Sequence, residues 1–492
     1  MKSLNLIPDK RRFFASRMLG QFFSVAVLLQ CFSTTCAMTS AHAGVLSHSP
    51  PAHNTASVAD NVAKTKAILI VGCVNDARLH DFSALRELAR SELNAAVVLI
   101  NPTLPDEARK CVDGNIALTP DGNATYENKI LQYIVEQNYQ ILGVLPISDP
   151  AISLAASLSE HLGLPGANLH RVRAGLDKHF FRQLEGVHAS PPDGYHPIKH
   201  AVVHDLKALS AVYSSYGNVA FIKPIRGGAS RGCLRLDPTT DLGKAWEEVK
   251  IYAKDGLQVE ELIDGATEVS VDQVNGALWV TAKENTTGNY RTEYQMIVPA
   301  KMPADQLKKV EAAGRFMSEL TGTNGGASHN EVFLFDGGKR TAAVEPNLRP
   351  GGALIWDMAR RAFKDFNPWS EWLGWASGTR PKHSGALVRT HYVGIRYLSA
   401  PSDGVFVSPG SLDIKKLAHH DNVTFLDHEW TALPGRTVHA IARDNSDYVG
   451  HFRMQSESYE DLVLALAAAD ARIAEALRGY RSKPDIQALA GE

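Results

Sequence analysis

Apolar residues along the chain change period several times, and each change marks an element. Lys66-Ala-Ile-Leu-Ile-Val-Gly72 is a continuous apolar run ending in glycine, the pattern of a strand buried on both faces. Ala95–Ile100 and Ile141–Leu145 repeat it, and helical periodicity over about 81–91 and 126–138 fills the gaps. Strands alternating with helices predict a parallel α/β unit. No G-x-G-x-x-G follows the first strand, so nothing there argues for a dinucleotide. A helix is expected from Asn168, as N-cap, to Glu185. An α+β pattern follows, with strands over 201–204, 219–223, 257–263, 269–274 and 278–282 and a long helix near 304–320. After residue 350 come two helical stretches (354–363 and 368–375), short strands at 391–398, 423–426 and 438–442, and a closing alanine-rich helix over 460–477. Trp356, Trp369, Trp372 and Trp375 fall at helical spacing and read as core.

One stretch carries charge where the pattern is otherwise apolar: His329-Asn-Glu-Val-Phe-Leu-Phe-Asp-Gly-Gly-Lys-Arg-Thr-Ala-Ala-Val-Glu-Pro-Asn-Leu-Arg-Pro-Gly-Gly352. Two strand-length runs flank turn chemistry at Asp336–Lys339, which predicts a hairpin. Glu345, Asn347 and Arg349 leave the second strand at alternate positions and so share a face. A three-residue loop, Gly337–Lys339, would set Glu331 opposite Glu345. Two carboxylates and a carboxamide oxygen on one face form a hard-oxygen cluster suited to Mg²⁺ holding phosphates, or to an ordinary hairpin with solvated acids.

Two further stretches bear on that choice. Lys223 ends a strand and opens a loop with Gly227, Gly228, Ser230 and Gly232. Glycines let backbone N–H groups approach phosphate oxygens, Ser230 adds a hydroxyl, and Lys223 adds a point charge. No Gly-Lys-Ser/Thr ends the loop, so it is not a Walker A loop. Then comes Val259-Glu-Glu-Leu-Ile-Asp-Gly-Ala-Thr-Glu268, which reads as an amphipathic strand pair with acidic exposed positions, or as a backbone edge for a base with a carboxylate for ribose hydroxyls.

The four features in order are a basic helix with Lys178, Lys223 with its glycine-rich loop, E-E-L-I-x-G-x-x-E, and E…E-x-N-x-R. In that order they resemble the ATP-grasp ligase superfamily over roughly residues 65–400, and most of all its L-amino-acid (dipeptide) ligase branch. The resemblance implies an α/β (α+β) ATP-grasp fold. Its parts would be a Rossmann-like pre-ATP-grasp domain over 65–165, an ATP-grasp core over 166–380 and a small C-terminal α+β lid region over 381–492. It implies ATP and Mg²⁺ (or Mn²⁺) as cofactors, and two amino acids joined through an acyl phosphate with release of ADP and phosphate. By the same resemblance Lys178 and Lys223 contact phosphates, and Gly227 to Gly232 close over the triphosphate. Glu260, Glu261 and Ile263 form the adenine hinge, and Glu268 meets the ribose. Glu331, Glu345 and Asn347 match the metal ligands, and Arg349 steadies the acyl phosphate. Gly352 offers a backbone amide, and Glu293 meets a substrate amino group. The chain departs from the branch near Pro299, where Gln295 or Met296 stands in place of a histidine, and at Ala353, which leaves space on the acyl side. Alternatives are a ligase of another acid and amine in a small-peptide natural-product pathway, and an exported non-catalytic nucleotide-binding protein.

Composition adds limits. Hydrophobic residues make up 44% and charged residues 21% of 492, with a formal net charge of −2, so bulk electrostatics favour neither nucleic acid nor an anionic membrane. Five scattered cysteines show neither a zinc spacing nor a disulfide framework. The expected partners are small-molecule amino acids, with a homodimer possible. Residues 1–43 have the layout of a secretory signal peptide: Lys10-Arg11-Arg12, an apolar run over Phe22–Phe32, and Ala41-His42-Ala43 before Gly44. A start codon placed too early, at a chain whose ATP chemistry suits the cytoplasm, is the other reading. The apolar run is too short for a stable membrane span, and residues 44–64 read as a linker.

Overall fold

The computed structural model describes residues 63–72, 78–104, 106–118, 124–188, 190–228, 230–288 and 290–478, so the leader and most of the linker lie outside the described residues. Three sheets organise the chain. The first is parallel, in the order β3-β2-β1-β4: β1 (Thr65–Val71), β2 (Ala96–Ile100), β3 (Gly114–Ile116) and β4 (Tyr139–Pro146). The helices Leu79–Leu93, Ala124–Glu136 and Ile152–His161 connect and flank it. The second is a four-stranded antiparallel sheet, β5-β8-β6-β7: β5 (His200–Val203), β6 (Ala220–Pro224), β7 (Leu234–Leu236) and β8 (Leu257–Glu260). The third is an eight-stranded antiparallel sheet. It contains β9 (Thr267–Val274), β10 (Ala277–Asn285), β11 (Glu293–Val298), β12 (Ser328–Phe335), β13 (Arg340–Asn347), β14 (Tyr392–Leu398), β16 (Thr424–Trp430) and β18 (Gly450–Ser456), in the order β13-β12-β9-β10-β11-β14-β18-β16. The short pair β15 (Gly404–Val405) and β17 (Thr437–Val438) stands apart as a ribbon.

Alternation along the large sheet explains its two faces. Val269, Val271, Val280 and Val332 point one way, into a core with the helix Ala304–Thr321. That helix buries Val310, Ala313, Met317 and Leu320 at three- and four-residue spacing. It comes so close that a Cβ on Gly314 would lie 2.5 Å from Val271 side-chain atoms, so only glycine fits there. On the other face Trp279, Val298 and Met296 join Trp356, Trp369, Trp372 and the first sheet's Ile68 and Ile70 in one continuous core. Trp375 is only partly buried and donates from Nε1 to the Asn324 carbonyl at 3.2 Å.

Four expectations change. The helix starting at Asn168 is broken. Asn168 accepts backbone N–H groups from His170 and Arg171, a short 3₁₀ turn covers Val172–Gly175, and Asp177 caps a new helix, Lys178–Val187, through Phe180 N–H at 2.9 Å. An N-cap aspartate inside a periodic run offers the backbone an alternative partner and restarts the helix. The hairpin loop has four residues, Asp336–Lys339, because Phe335 pairs with Arg340. A bulge at Val344 then restores Glu331 opposite Glu345. The strand expected over 257–263 stops at Glu260, and the one expected over 438–442 is confined to Thr437–Val438. Among the described residues no helix is long and apolar enough to cross a membrane.

Trp356 is 1% exposed and meets the rings of Trp279, Trp369 and Trp372 at centroid distances of 5.9, 4.7 and 5.6 Å. Trp356→Ala is expected to lower unfolding stability by about 3–5 kcal/mol in a urea titration.

Candidate active site

One face of the large sheet is polar from edge to interior, and strand register shows why. Glu345 pairs with Glu331, which pairs with Ser270, and Asn347 pairs with His329, which pairs with Asp272. Directly paired residues share a face, so these side chains form two rows across β13, β12 and β9. Lys283 on β10 lies one residue beyond the Ala282–Val269 pair, which sets it opposite Glu268. Asn285 pairs with Glu293 across a bulge that turns Glu293 to the same face.

Lys283 is the centre of this arrangement. Its Nζ lies 3.0 Å from Glu268, 2.6 Å from Glu293 and 2.5 Å from Glu331. Burial alone would push the ammonium down, but Glu293, Glu331 and Glu268 raise it well above the ordinary lysine range. Burial pushes the Glu268 carboxyl up to about 7, with Lys283 opposing and Glu331 and Glu293 adding to the rise. Burial raises Glu331 too, yet Lys283 and His329 outweigh it and hold that carboxyl well below its usual range. Burial lowers His329, but Asp272 and Glu331 together overcome it and raise the imidazole to about 9. Its Nδ1 is 3.1 Å from Asp272 and its Nε2 is 3.5 Å from Glu331, so an imidazolium links the two acids. Carboxylate oxygens of Glu268, Glu293 and Glu331 lie within 4.8 Å of one another, close enough to converge on one cation.

A second charged group sits under the small sheet. Glu260 is 2.8 Å from Lys223 Nζ and 2.7 Å from Arg182 Nε, and Arg182 also meets Glu185 at 2.7 Å. Burial raises Glu260, but Arg182 and Lys223 overcome it and hold the carboxyl down at about 2. Lys223 is held below the ordinary lysine value by its burial, although Glu260 opposes this. Lys223 also donates to the Val344 carbonyl at 3.1 Å, tying the small sheet to the hairpin bulge.

Between the two sheets runs a cleft of about 550 Å³, within the size range of small-molecule sites. Of the residues expected at a site, Lys178, Lys223, Gly227, Gly228 and Ser230 line it. So do Glu260, Glu261, Ile263, Glu268, Glu293, Glu331 and Glu345. Lys178 Nζ bridges Glu345 at 2.9 Å and the Gly227 carbonyl at 2.7 Å, which fastens the glycine-rich loop to the hairpin. The Ser230 hydroxyl donates to the Arg291 carbonyl at 3.0 Å. Gly232 is not among the residues that line the cleft. At φ +70° a Cβ there would lie 2.5 Å from the Tyr252 ring, so this glycine is required by packing. Asn347 is the last residue of β13 and Arg349 follows it, donating to Asn347 Oδ1 at 3.2 Å.

Arg349 is held in a two-pronged pair by Asp149, at 2.7 and 2.9 Å. Asp149 stands three residues past β4, at the carboxyl end of the parallel sheet, where open α/β sheets place ligand-binding residues. Arg78 donates to the Pro350 and Gly351 carbonyls, both at 3.2 Å. A Cβ on Gly351 would meet His329 Nδ1 at 2.8 Å and Asp272 at 2.9 Å, whereas Gly352 has open space before it. Ala353 (φ 54°) and Leu354 (φ 57°) are consecutive left-handed non-glycine residues, a strain of the kind that collects at functional loops. Of the two positions expected to replace the histidine, Met296 belongs to the core and Gln295 is buried, donating to Glu284 at 2.9 Å and accepting from Arg396 at 3.0 Å.

Lys283, Asp149 and His329 were not singled out in the sequence. Lys283 had a readable signal, a lysine in phase on an otherwise apolar strand opposite an acidic one. Asp149 depended on sheet topology, and the role of His329 depended on the long-range pairing of β12 with β9.

No protein-family model matches the chain. A D-alanine–D-alanine ligase of Aromatoleum aromaticum is 27% identical over 161 residues, 31% of this chain and 51% of that protein. The chain thus spans about half the length of that relative. Among solved structures, an L-amino acid ligase from Bacillus licheniformis superposes with a TM-score of 0.65 at 19% identity, covering 83% of this chain and 98% of that one. The biotin carboxylase domain of Hydrogenobacter thermophilus 2-oxoglutarate carboxylase, solved with MgADP, gives a TM-score of 0.57 at 13% identity and covers 82% and 89%. At these identities the structural likenesses concern the fold.

The pairing of Glu260 gives a pH prediction. Its folded value, about 2, is below the ordinary 4.5, so the stability it contributes is present above pH ~4.5 and is lost as pH falls toward 2. Urea midpoints measured across that window should fall steeply in the wild type. Glu260→Gln should be less stable by roughly 3 kcal/mol at pH 7 and should show a shallower acid slope. Parallel curves would contradict the pairing.

Proposed function

We propose, from the ATP-grasp fold that this chain adopts, that the protein is an ADP-forming, Mg²⁺-dependent carboxylate–amine ligase that joins two L-amino acids. The observation that carries this reading is the convergence in one cleft of Lys178, Lys223 and Lys283 with Glu331 and Glu345, beside Arg349. Three ammonium groups suit a triphosphate, and acids paired across two strands suit the metal that accompanies it.

The donor set fits magnesium. Glu331 and Glu345 are cross-strand neighbours, and Asn347 follows on the same face. Glu331 shares Lys283 with Glu268 and Glu293, and Glu345 meets Lys178, so the acids outnumber the lysines and leave negative charge for a cation to meet. Bound there, Mg²⁺ supplies neutralisation of charge on the transferring phosphoryl group. That the L-amino acid ligase and the MgADP-bound carboxylase domain share the fold supports the same nucleotide and metal.

Residues of the chain then take these roles. Backbone groups of Glu261 and Ile263 meet the adenine edge, and Glu268 accepts the ribose hydroxyls. Lys178, Lys223 and the loop at Gly227 and Gly228 hold phosphate oxygens. The substrate carboxylate attacks the γ-phosphorus, ADP departs, and an acyl phosphate forms. Arg349 and the Gly352 N–H stabilise its oxygens, acting as fixed dipoles aimed at developing charge. A free amine attacks the carbonyl carbon, phosphate leaves, and the amide bond remains. Glu293 holds a substrate ammonium. A closed cleft protects the acyl phosphate from water. The absence of a histidine at Gln295 or Met296, where the dipeptide-ligase branch has one, favours a second reading in which the same chemistry joins a different acid or amine.

Incubation with Mg·ATP and pooled amino acids should release ADP and give new dipeptide masses, and AMP release would overturn the mechanism. Glu345→Gln should lower kcat at least about 100-fold while leaving the thermal midpoint within a few degrees.

A further inference from the structure

The polar face of the large sheet continues beyond Glu293. β11, β14, β18 and β16 are consecutive strands. Tyr397 pairs with His451, and His451 pairs with Glu429, so these side chains form one row. Ile395, two residues before Tyr397, pairs with Met296, which pairs with Lys283, so the row lies on the face of the candidate active site. Tyr397 stacks on Tyr448 at 5.1 Å and meets the edge of His451 at 5.8 Å. Asn445 donates to Glu293 at 2.8 Å and fixes the near end of the row.

Glu429, at the far end, is poorly compensated. Among the described residues the groups within 4 Å that could carry positive charge are His80 and His451. Each places Nε2 3.9 Å from the same carboxylate oxygen, beyond hydrogen-bond distance. Acids around it are matched: Asp81 by Arg78, and Asp427 and Asp357 by Arg453. His451 is 6% exposed, and among the described residues its Nδ1 has no hydrogen-bond partner. Burial, then Arg453, hold its imidazole down at about 4, so it is neutral at pH 7 and cannot balance Glu429. A carboxylate 42% open to solvent, a neutral imidazole and an aromatic ring make a set that receives a cation.

We infer that one of the two substrates carries a basic side chain of lysine or arginine length, its α-ammonium on Glu293 and its side-chain cation on Glu429 beside Tyr397 and His451. The role of Glu293 in this inference rests on the ligase reading above. Length supports the assignment. Three inter-strand steps of about 4.8 Å separate β11 from β16, roughly 14 Å. An extended arginine covers roughly 8 Å from α-nitrogen to guanidinium, and two hydrogen bonds of about 2.9 Å complete the span.

Calorimetric titration of the full chain, with Mg²⁺ and a non-hydrolysable ATP analogue, tests this. L-Arginine is compared with L-citrulline, its neutral isostere, and L-lysine with L-norleucine. Each basic amino acid should bind about tenfold or more tightly than its neutral partner, and the ratio should collapse toward one in Glu429→Gln. Equal affinities in the wild type, no binding of either member of a pair, or a ratio that survives Glu429→Gln overturns the inference. ADP and product formation measured in parallel separates the two claims. Selective arginine binding without product from any amine keeps the subsite and rejects the ligase reading. Product formed without basic preference does the reverse.

Discussion

A buried lysine surrounded by three carboxylates is the constraint on which the rest of this molecule turns. Lys283 is drawn from β10 into Glu268 of β9, Glu293 of β11 and Glu331 of β12. Taking an ammonium and three acids out of water is costly unless each finds a partner at hydrogen-bond distance. The sheet supplies that geometry because β9, β10, β11 and β12 are neighbours in space, and a bulge between Asn285 and Glu284 rotates Glu293 to meet it. Counting His329 and its partner Asp272, four acids face two cations, so two acids more than the local cations can match remain, and burial holds Glu268 at about 7. That surplus is what a cleft built to receive a further cation requires.

The same logic connects the parts of the chain. Arg349 leaves the hairpin and is caught by Asp149 at the end of the parallel sheet, while Arg78 reaches back to the carbonyls of Pro350 and Gly351. These reciprocal contacts fix the glycine pair against His329 and Asp272, where no Cβ would fit on Gly351. Lys178 and Lys223 bring the small sheet and its glycine-rich loop onto the same hairpin. Three sheets therefore meet at one turn of chain, residues 344–352, and charged side chains make the junction.

Much of this was legible beforehand for physical reasons. Apolar runs that form buried parallel strands have no polar alternation to confuse them, and β1, β2 and β4 were read from Lys66–Gly72, Ala95–Ile100 and Ile141–Leu145. The acidic face of the hairpin followed from alternation, and Glu331 does oppose Glu345, although a four-residue loop and a bulge at Val344 produce the register in place of a three-residue loop. What could not be read depended on pairing distant in sequence. Lys283 meets Glu331 across 48 residues and Arg349 meets Asp149 across 200, and neither local propensity nor periodicity carries such information. Asp177 hid a helix break inside a periodic run, because a cap and an interior aspartate look alike until the backbone turns.

The account makes one chemical commitment above the others: the acid is activated by phosphoryl transfer onto its own carboxylate oxygen. An amino acid labelled with ¹⁸O in its carboxylate, supplied with Mg·ATP and the amine that gives product, tests it directly. Mass spectrometry of the released phosphate should find one ¹⁸O atom per amide bond formed. Label appearing in AMP, or phosphate free of ¹⁸O while product accumulates, would contradict it.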